Sequence, residues 1–515
     1  MSAAYKVQTK ATTPFDASRT MFDTMTTHLG SAAGLKMDHG ALEVWAKTQG
    51  RELTRRLLQD HFDLRMVRER VVLVRDSDGV ERIERHKGHR TLRSLVGDVA
   101  IWRLLYQEAG CEALCPADAE LRLPDDCYSM GVRREVAGLV AQASYAETCD
   151  TLKRLTGVDI ALRQAEELAR RAAQDVTAFY QDREVEPEAT GTLLVLSFDA
   201  AGIVMRHESL RDGARRAAEN AEPTPSFPPK LKTGEKPNRK RMAQVAAVYG
   251  IAPFVRTPAD ILGELDCTGL RDTSKPTAKR PRPTNKSVRA SVKRASSAVI
   301  DEAFHEALRR DPDRERTWVV LVDGHTDQLR AVRRAVAKYG VQVTIIVDLI
   351  HLIEYLWHAA YCFHPAGSVE ARDWVVEKLR ALLGSARPSD VAGGMRRSAT
   401  LRKLEKRAAV DKCAAYMIKL APYMTYGAAI AQGLPIATGV IEGACRHLVR
   451  ARLDGTGARW SVDGAEAVLL LRALHLSRDF DAYWDFHQAR EFERTHPLRY
   501  AGGVVPRQPT LRLVK

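Results

Sequence analysis

The sequence predicts an α/β protein flanked by separate helical regions, and three observations carry that reading. Short β-branched and aliphatic runs end in an acid at Leu194-Val-Leu-Ser-Phe-Asp199, Trp318-Val-Val-Leu-Val-Asp323-Gly324 and Val343-Thr-Ile-Ile-Val-Asp348-Leu-Ile-His351. Such runs suit strands buried on both faces, and an acid placed directly after one projects from the sheet edge instead of into the core. Between residues 296 and 361 helical and strand patterns alternate as a βαβ succession, whereas 41–64, 132–180 and 369–433 carry helical spacing alone.

Taken in order, Leu42, Val44, Trp45, Leu53, Leu57, Leu58 and Phe62 recur at helical spacing over 41–64. Alternating runs at 71–74 and 99–106 flank Asp76-Ser-Asp-Gly79, a turn signal, which predicts a small antiparallel sheet. Three helices follow at 132–143, 144–155 and 161–180, the second closing at Gly157, where glycine suits a left-handed cap. The third carries Arg163, Arg170 and Arg171, so this segment reads either as a helix-turn-helix-like domain that presents one helix to DNA or as a plain three-helix bundle. After a linker at 184–191, strands are expected at 193–198, 202–205 and 242–250 as an antiparallel start. Two tracts rich in Pro, Lys and Arg, 206–241 and 271–294, cannot bury a core and read as solvated loops or as arms contacting a DNA backbone, the second with Lys279, Arg280 and Arg282. Helix 296–310, strand 318–322, helix 326–338, strand 341–347 and helix 351–361 then bring Asp323 and Asp348 to one sheet edge. An all-helical stretch, 369–433, precedes the helix of Gly439-Val-Ile-Glu442-Gly-Ala-Cys445. The expected divisions are therefore 1–124, 125–184, 191–368, 369–433, 434–500 and a tail at 501–515.

At 515 residues the chain exceeds one hydrophobic core, which stops growing at roughly 250–300 residues. A formal charge of +14 points to a polyanionic partner, since Lys and Arg neutralising phosphates supply most non-specific nucleic-acid affinity. Eight cysteines without regular spacing fit free thiols in a reducing compartment, and no apolar run approaches the roughly 20 residues of a membrane span. The expectation is a cytoplasmic, nucleoid-associated protein without membrane contact. Several carboxylates from separate elements of a basic chain suggest a metal-dependent nuclease centre, because Mg²⁺ takes hard oxygen ligands.

The ordered set Ser197-Phe-Asp199, Leu321-Val-Asp323-Gly324, Asp348-Leu-Ile-His351, Gly439-Val-Ile-Glu442-Gly-Ala-Cys445-Arg and Thr456-Gly-Ala-Arg-Trp460 resembles the ISKra-type insertion-sequence transposases, relatives of the Mutator-like DDE enzymes, over about 90–500. The resemblance implies an RNase H-like mixed sheet interrupted by a helical insertion, with Asp199, Asp323 and Glu442 as the catalytic, metal-holding acids and Asp348 and His351 in support. It implies two Mg²⁺ ions, replaceable by Mn²⁺, transposon-end and target DNA as partners, and a homo-oligomer in the synaptic complex. The chain departs from the family pattern twice: no lysine follows the first acid in Asp199-Ala-Ala-Gly202, and Cys111-Glu-Ala-Leu-Cys115 stands where a Cys-x-x-Cys pair is usual. Cys111, Cys115, Cys127 and the His86/His89 pair could supply four ligands, but their spacing fits no standard structural zinc site.

Singly, each acid has a plainer explanation, such as a helix cap for Asp348 or a turn residue for Asp323. Glu466, on the next helix, is the rival for the third acid. Trp460 beside Arg459 reads as a core residue or as a stacking platform for a displaced base. The function expected is a DNA transposase; a metal-dependent nuclease without strand transfer, or a transposase-derived DNA-binding protein, are the alternatives.

Overall fold

Helix Asp16–Leu29 packs on the long helix His39–Arg68, and Ser18 fixes the pair by donating from its amide (3.1 Å) and hydroxyl (2.5 Å) to Asp60. The computed structural model describes residues 14–188, 190–219, 240–265, 280–454 and 458–507, and the chain divides into two compact units, Met1–Gln181 with Asp481–Lys515, and Asp182–Phe480.

In the first unit strands β1 (Glu84–Ser94) and β2 (Gly97–Gln107) form an antiparallel hairpin. The small sheet expected over 71–106 is there, but its first strand is 84–94 and not 71–74. β1 has one apolar residue, Leu92, and hydropathy does not mark it; β2 provides Val99 and Ile101, which join Leu92, Phe62 and Leu123 in a core. Asp76 and Gly79 do make the expected turn, with Asp76 accepting from the amides of Asp78 and Val80 and Gly79 at φ 82°.

Helices Met130–Val140 and Tyr145–Thr156 begin at the serine caps Ser129 and Ser144, and Gly157 closes the second at φ 78°. The single helix expected over 161–180 is broken into Leu162–Ala173 and Val176–Asp182. The break falls at Asp175, whose buried carboxylate meets His487 Nδ1 (2.7 Å) and both terminal nitrogens of Arg494 (2.7 and 2.9 Å). Arg133, also buried, is neutralised by Asp126 and Glu491, each at 2.8 Å.

The second unit is built on a five-stranded mixed sheet. Its strands are β3 (Leu193–Val204), β4 (Lys240–Ile251), β5 (Thr284–Ser291), β6 (Trp318–Val322) and β7 (Val343–Val347), in the order β5-β4-β3-β6-β7. β4 is antiparallel to both of its neighbours, β3 and β5, while β6 runs parallel to β3 and β7 to β6. The two strands expected at 193–198 and 202–205 are one, because the β3–β4 ladder runs unbroken from Leu193↔Ile251 to Val204↔Lys240. The basic tract at 271–294 contains β5, so its second half is sheet and not an arm; residues 271–279, Lys279 among them, lie outside the described residues, as do 220–239 of the first tract. The described part of that first tract forms the short helix Asp212–Glu219 and enters β4.

β5 is buried despite its polarity, since Arg289 reaches Glu306 of helix Ser296–Arg310 at 3.0 Å, and Arg309 and Arg310 close on the same carboxylate at 2.9 and 2.7 Å. The helical stretch after β7 comprises Leu349–Ala360, Val369–Leu383, Pro388–Leu401, Ala408–Leu420 and Tyr426–Ala431. No helix of the described residues is long and apolar enough to cross a membrane.

Candidate active site

The parallel half of the sheet sets the acids in one row. Ser197 pairs with Leu321 and Val322 with Val347, so extending each register by two residues and by one puts Asp199 beside Asp323 and Asp323 beside Asp348. Members of such a row lie at one level of the sheet. β3 and β6 end their pairing here, and Asp199 is half-buried just beyond the last pair.

Asp199 accepts from the amide of Ala200 at 2.6 Å. Its pKa is raised, first by burial and then by the neighbouring Asp323 charge; the Ala200 amide, the Cys445 thiol and Arg450 oppose this. Two carboxylates side by side, one of them disfavoured as an anion, form a place that a cation would relieve. Asp323 accepts from the His325 amide at 2.8 Å, and the Tyr416 hydroxyl donates to its backbone carbonyl at 2.8 Å. Gly324 is required beside it: φ is 88°, and a Cβ there would lie 2.4 Å from Leu420 Cδ1. Helix Ala408–Leu420 is thereby seated on the loop of the second acid.

Glu442 is exposed on the short helix Gly439–Ala444, which packs against β3 and β4. One turn on, Cys445 is buried and donates its thiol to Asp199; burial, followed by the Asp199 charge, pushes that thiol up. From Cys445 to Arg450 the chain continues as a π-helix. Half-buried Arg472 donates from Nε to the Leu448 carbonyl at 2.9 Å, and its guanidinium also donates to that of His447.

Asp348 is committed to structure. Its carboxylate caps helix Leu349–Ala360 through the Ile350 amide (3.0 Å) and accepts from the Thr438 amide (3.3 Å) and hydroxyl. Burial raises its pKa, against those donors. Thr438 precedes the Glu442 helix and accepts the Glu442 amide at 2.9 Å, so Asp348 ties that helix to the end of β7. Replacing Asp348 by alanine leaves the Thr438 donors without their acceptor, and a loss of about 1–3 kcal/mol is expected. Urea unfolding checks this; an unchanged midpoint would leave Asp348 without the structural task assigned to it.

His351 sits edge-on to Tyr355 and Tyr416, which stack at 4.3 Å, and its Nδ1 lies 3.6 Å from Glu354. It belongs to an aromatic wall beside Asp323. Trp460 corrects one of its two readings: it is buried, its indole N–H donates to the Leu453 carbonyl at 3.1 Å, and Arg452 covers the ring, so no face is presented to a base. Glu466 accepts from the Ser291 hydroxyl and the Val292 and Lys293 amides, which anchors the end of β5. Arg170 pairs with Glu167, and Arg171 with Asp125, Asp126 and Glu167, while Arg163 is exposed. Arg280, Arg282 and Arg459 are exposed, and Thr456 lies outside the described residues.

The donors at the site are carboxylate oxygens, which suit Mg²⁺ or Mn²⁺. Among the described residues no three His, Cys, Asp or Glu side chains are gathered into one metal-holding group: the structure brings Asp199 and Asp323 together without closing Glu442 onto them, and Cys111, Cys115, Cys127, His86 and His89 form no zinc cage. The sequence reading missed Tyr416, Thr438 and Arg472; the only available signal for a missed group was Cys445, three residues after Glu442 and on its helix face.

Fold and site together define an α/β protein with paired acids where the parallel pairing of two adjacent strands ends. No protein-family model and no curated protein matches the chain.

Proposed function

We propose that the protein is a DNA transposase of RNase H-like fold that cuts and joins DNA at the ends of its own element. The observation that carries this is the placing of Asp199 and Asp323 on the adjacent parallel strands β3 and β6 of a β5-β4-β3-β6-β7 sheet in which β4 alone runs the other way, with Glu442 on a helix packed against β3. Asp199, Asp323 and Glu442 would hold divalent ions, and those ions would supply charge neutralisation to the attacking and leaving oxygens of a phosphodiester. The chain itself positions the acids: Cys445 and the Ala200 amide orient Asp199, Tyr416 and Gly324 fix the Asp323 loop, and Asp348 with Thr438 sets the Glu442 helix. No side-chain nucleophile is needed, since water and then a DNA 3′-hydroxyl can attack.

The test uses labelled duplexes from the DNA flanking the coding region, with a separate target duplex, in Mg²⁺, Mn²⁺ or EDTA. Cutting at defined ends and joined products are expected in both metals and neither in EDTA. Cutting without joining would replace the transposase by a nuclease, and no cutting in either metal would overturn both.

A further inference from the structure

We infer that the helix carrying Glu442 also grips the DNA backbone at the acids, through Arg446 and Arg450. This rests on the phosphodiester-cutting site proposed above and adds the residues that would hold its substrate.

Three observations converge. Glu442, Arg446 and Arg450 recur at four-residue intervals along one continuous helical run, and Cys445, which touches Asp199, lies one π-turn before Arg450 because hydrogen bonds in a π-helix span five residues. The segment Cys445–Arg450 packs directly on β3, the strand of Asp199. Arg450 is therefore close enough to weigh on the charge of Asp199, although it forms no ion pair with it.

Second, both guanidiniums are exposed and neither has an acidic partner among the described residues. Elsewhere in this unit arginines near the sheet are consumed by carboxylates, as Arg289, Arg309 and Arg310 are by Glu306 and Arg316 by Glu188. Two arginines kept free next to a pair of acids are suited to an anion that comes from outside, and a guanidinium matches the two oxygens of a phosphodiester in a forked contact.

Third, the π-helix is held in place. Its irregular turn leaves carbonyls without their usual helical donors, and Arg472, reaching across from helix Val462–Ser477, donates to those of His447 and Leu448. A half-buried arginine committed to this task keeps the turn wide, which sets the direction of Arg446 and Arg450 relative to Asp199 and Glu442. π-turns are frequent at functional sites for this reason.

The experiment measures binding of the full chain to a flanking-DNA duplex in Ca²⁺ over a range of salt, and cleavage in Mg²⁺, for wild type, Arg446→Ala, Arg450→Ala, the double variant and Arg450→Lys. Each alanine should reduce the slope of log K against log salt by about 1. Each should also lower kcat/KM roughly tenfold or more, mostly through KM. Lysine at 450 should restore the slope without restoring the rate, because it supplies charge but not the fork. A double variant with the wild-type slope and KM would overturn the inference. A wild type that binds DNA but never cuts would sink the enzymatic reading while the slopes still decide the arginines, and one that neither binds nor cuts would sink both. Both residues are exposed, so a melting curve matching wild type is expected for every variant.

Discussion

Replacing Asp199 or Asp323 by Asn, or Glu442 by Gln, is expected to stop strand cleavage, by about 10³-fold or more, while DNA binding stays nearly unchanged. The amide keeps the shape of the side chain and removes the charge that would hold a divalent ion, so the loss falls on the chemical step. The same substitution at Asp199 should leave the apo protein as stable as wild type or more so, because burial and the neighbouring Asp323 already disfavour that carboxylate as an anion. An inactive variant with an unchanged or raised melting temperature is thus distinguishable from an unfolded one. Glu466→Gln serves as the contrast: that acid anchors β5 through Ser291, Val292 and Lys293, and its loss should spare cleavage. The measurement is cleavage of labelled flanking DNA in Mg²⁺ with binding followed separately in Ca²⁺. A fully active Glu442→Gln enzyme, or an inactive but folded Glu466→Gln one, would reverse the choice of third acid.

The largest effect on stability is expected at Glu306. Its side chain is wholly buried and answers three guanidiniums, Arg289, Arg309 and Arg310. Glu306→Gln removes the one carboxylate that these three guanidiniums share, at a cost of about 3–5 kcal/mol. The effect should depend on pH. Burial pushes the carboxyl up, but the arginines prevail and hold it at about 2, below its ordinary 4.5. A carboxyl lowered on folding stabilises the native state above its unfolded value and loses that contribution as pH falls toward the folded one. The gap between wild type and Glu306→Gln should accordingly be full above pH 4.5 and close as pH falls toward about 2. Urea titrations at neutral and acid pH measure it; an equal midpoint for both proteins at neutral pH would refute the argument.

What could be read from the sequence depended on whether a residue's neighbours are local. Strand β6 and helix Ser296–Arg310 occur at the expected residues because an apolar run bounded by Asp323, and a helical period of Val299, Ile300, Ala303, Phe304 and Ala307, are properties of short windows. The row of acids was legible for the same reason. β1 and β5 were not, because each owes its place to a partner: β1 to the apolar residues of β2, and β5 to a buried arginine paired with an acid on another element. A hydropathy pattern registers Arg289 as solvated when Glu306 makes it part of the core. The break at Asp175 was equally hidden, since the groups that hold it, His487 and Arg494, lie more than 300 residues away. Trp460 and Glu466 show the reverse case, in which residues chosen by motif proximity serve the framework.

The first unit is assembled from both ends of the chain, and its innermost charges are divided between them. Arg133 and Asp175 come from the leading segment; Glu491, His487 and Arg494 come from the trailing one. While the second unit is being synthesised, Asp175 of the first still lacks His487 and Arg494, and Arg133 has Asp125 and Asp126 but not yet Glu491. A product cut short before residue 480 keeps Asp199, Asp323 and Glu442 but lacks the partners that Phe480–Thr495 brings to Asp175 and Arg133.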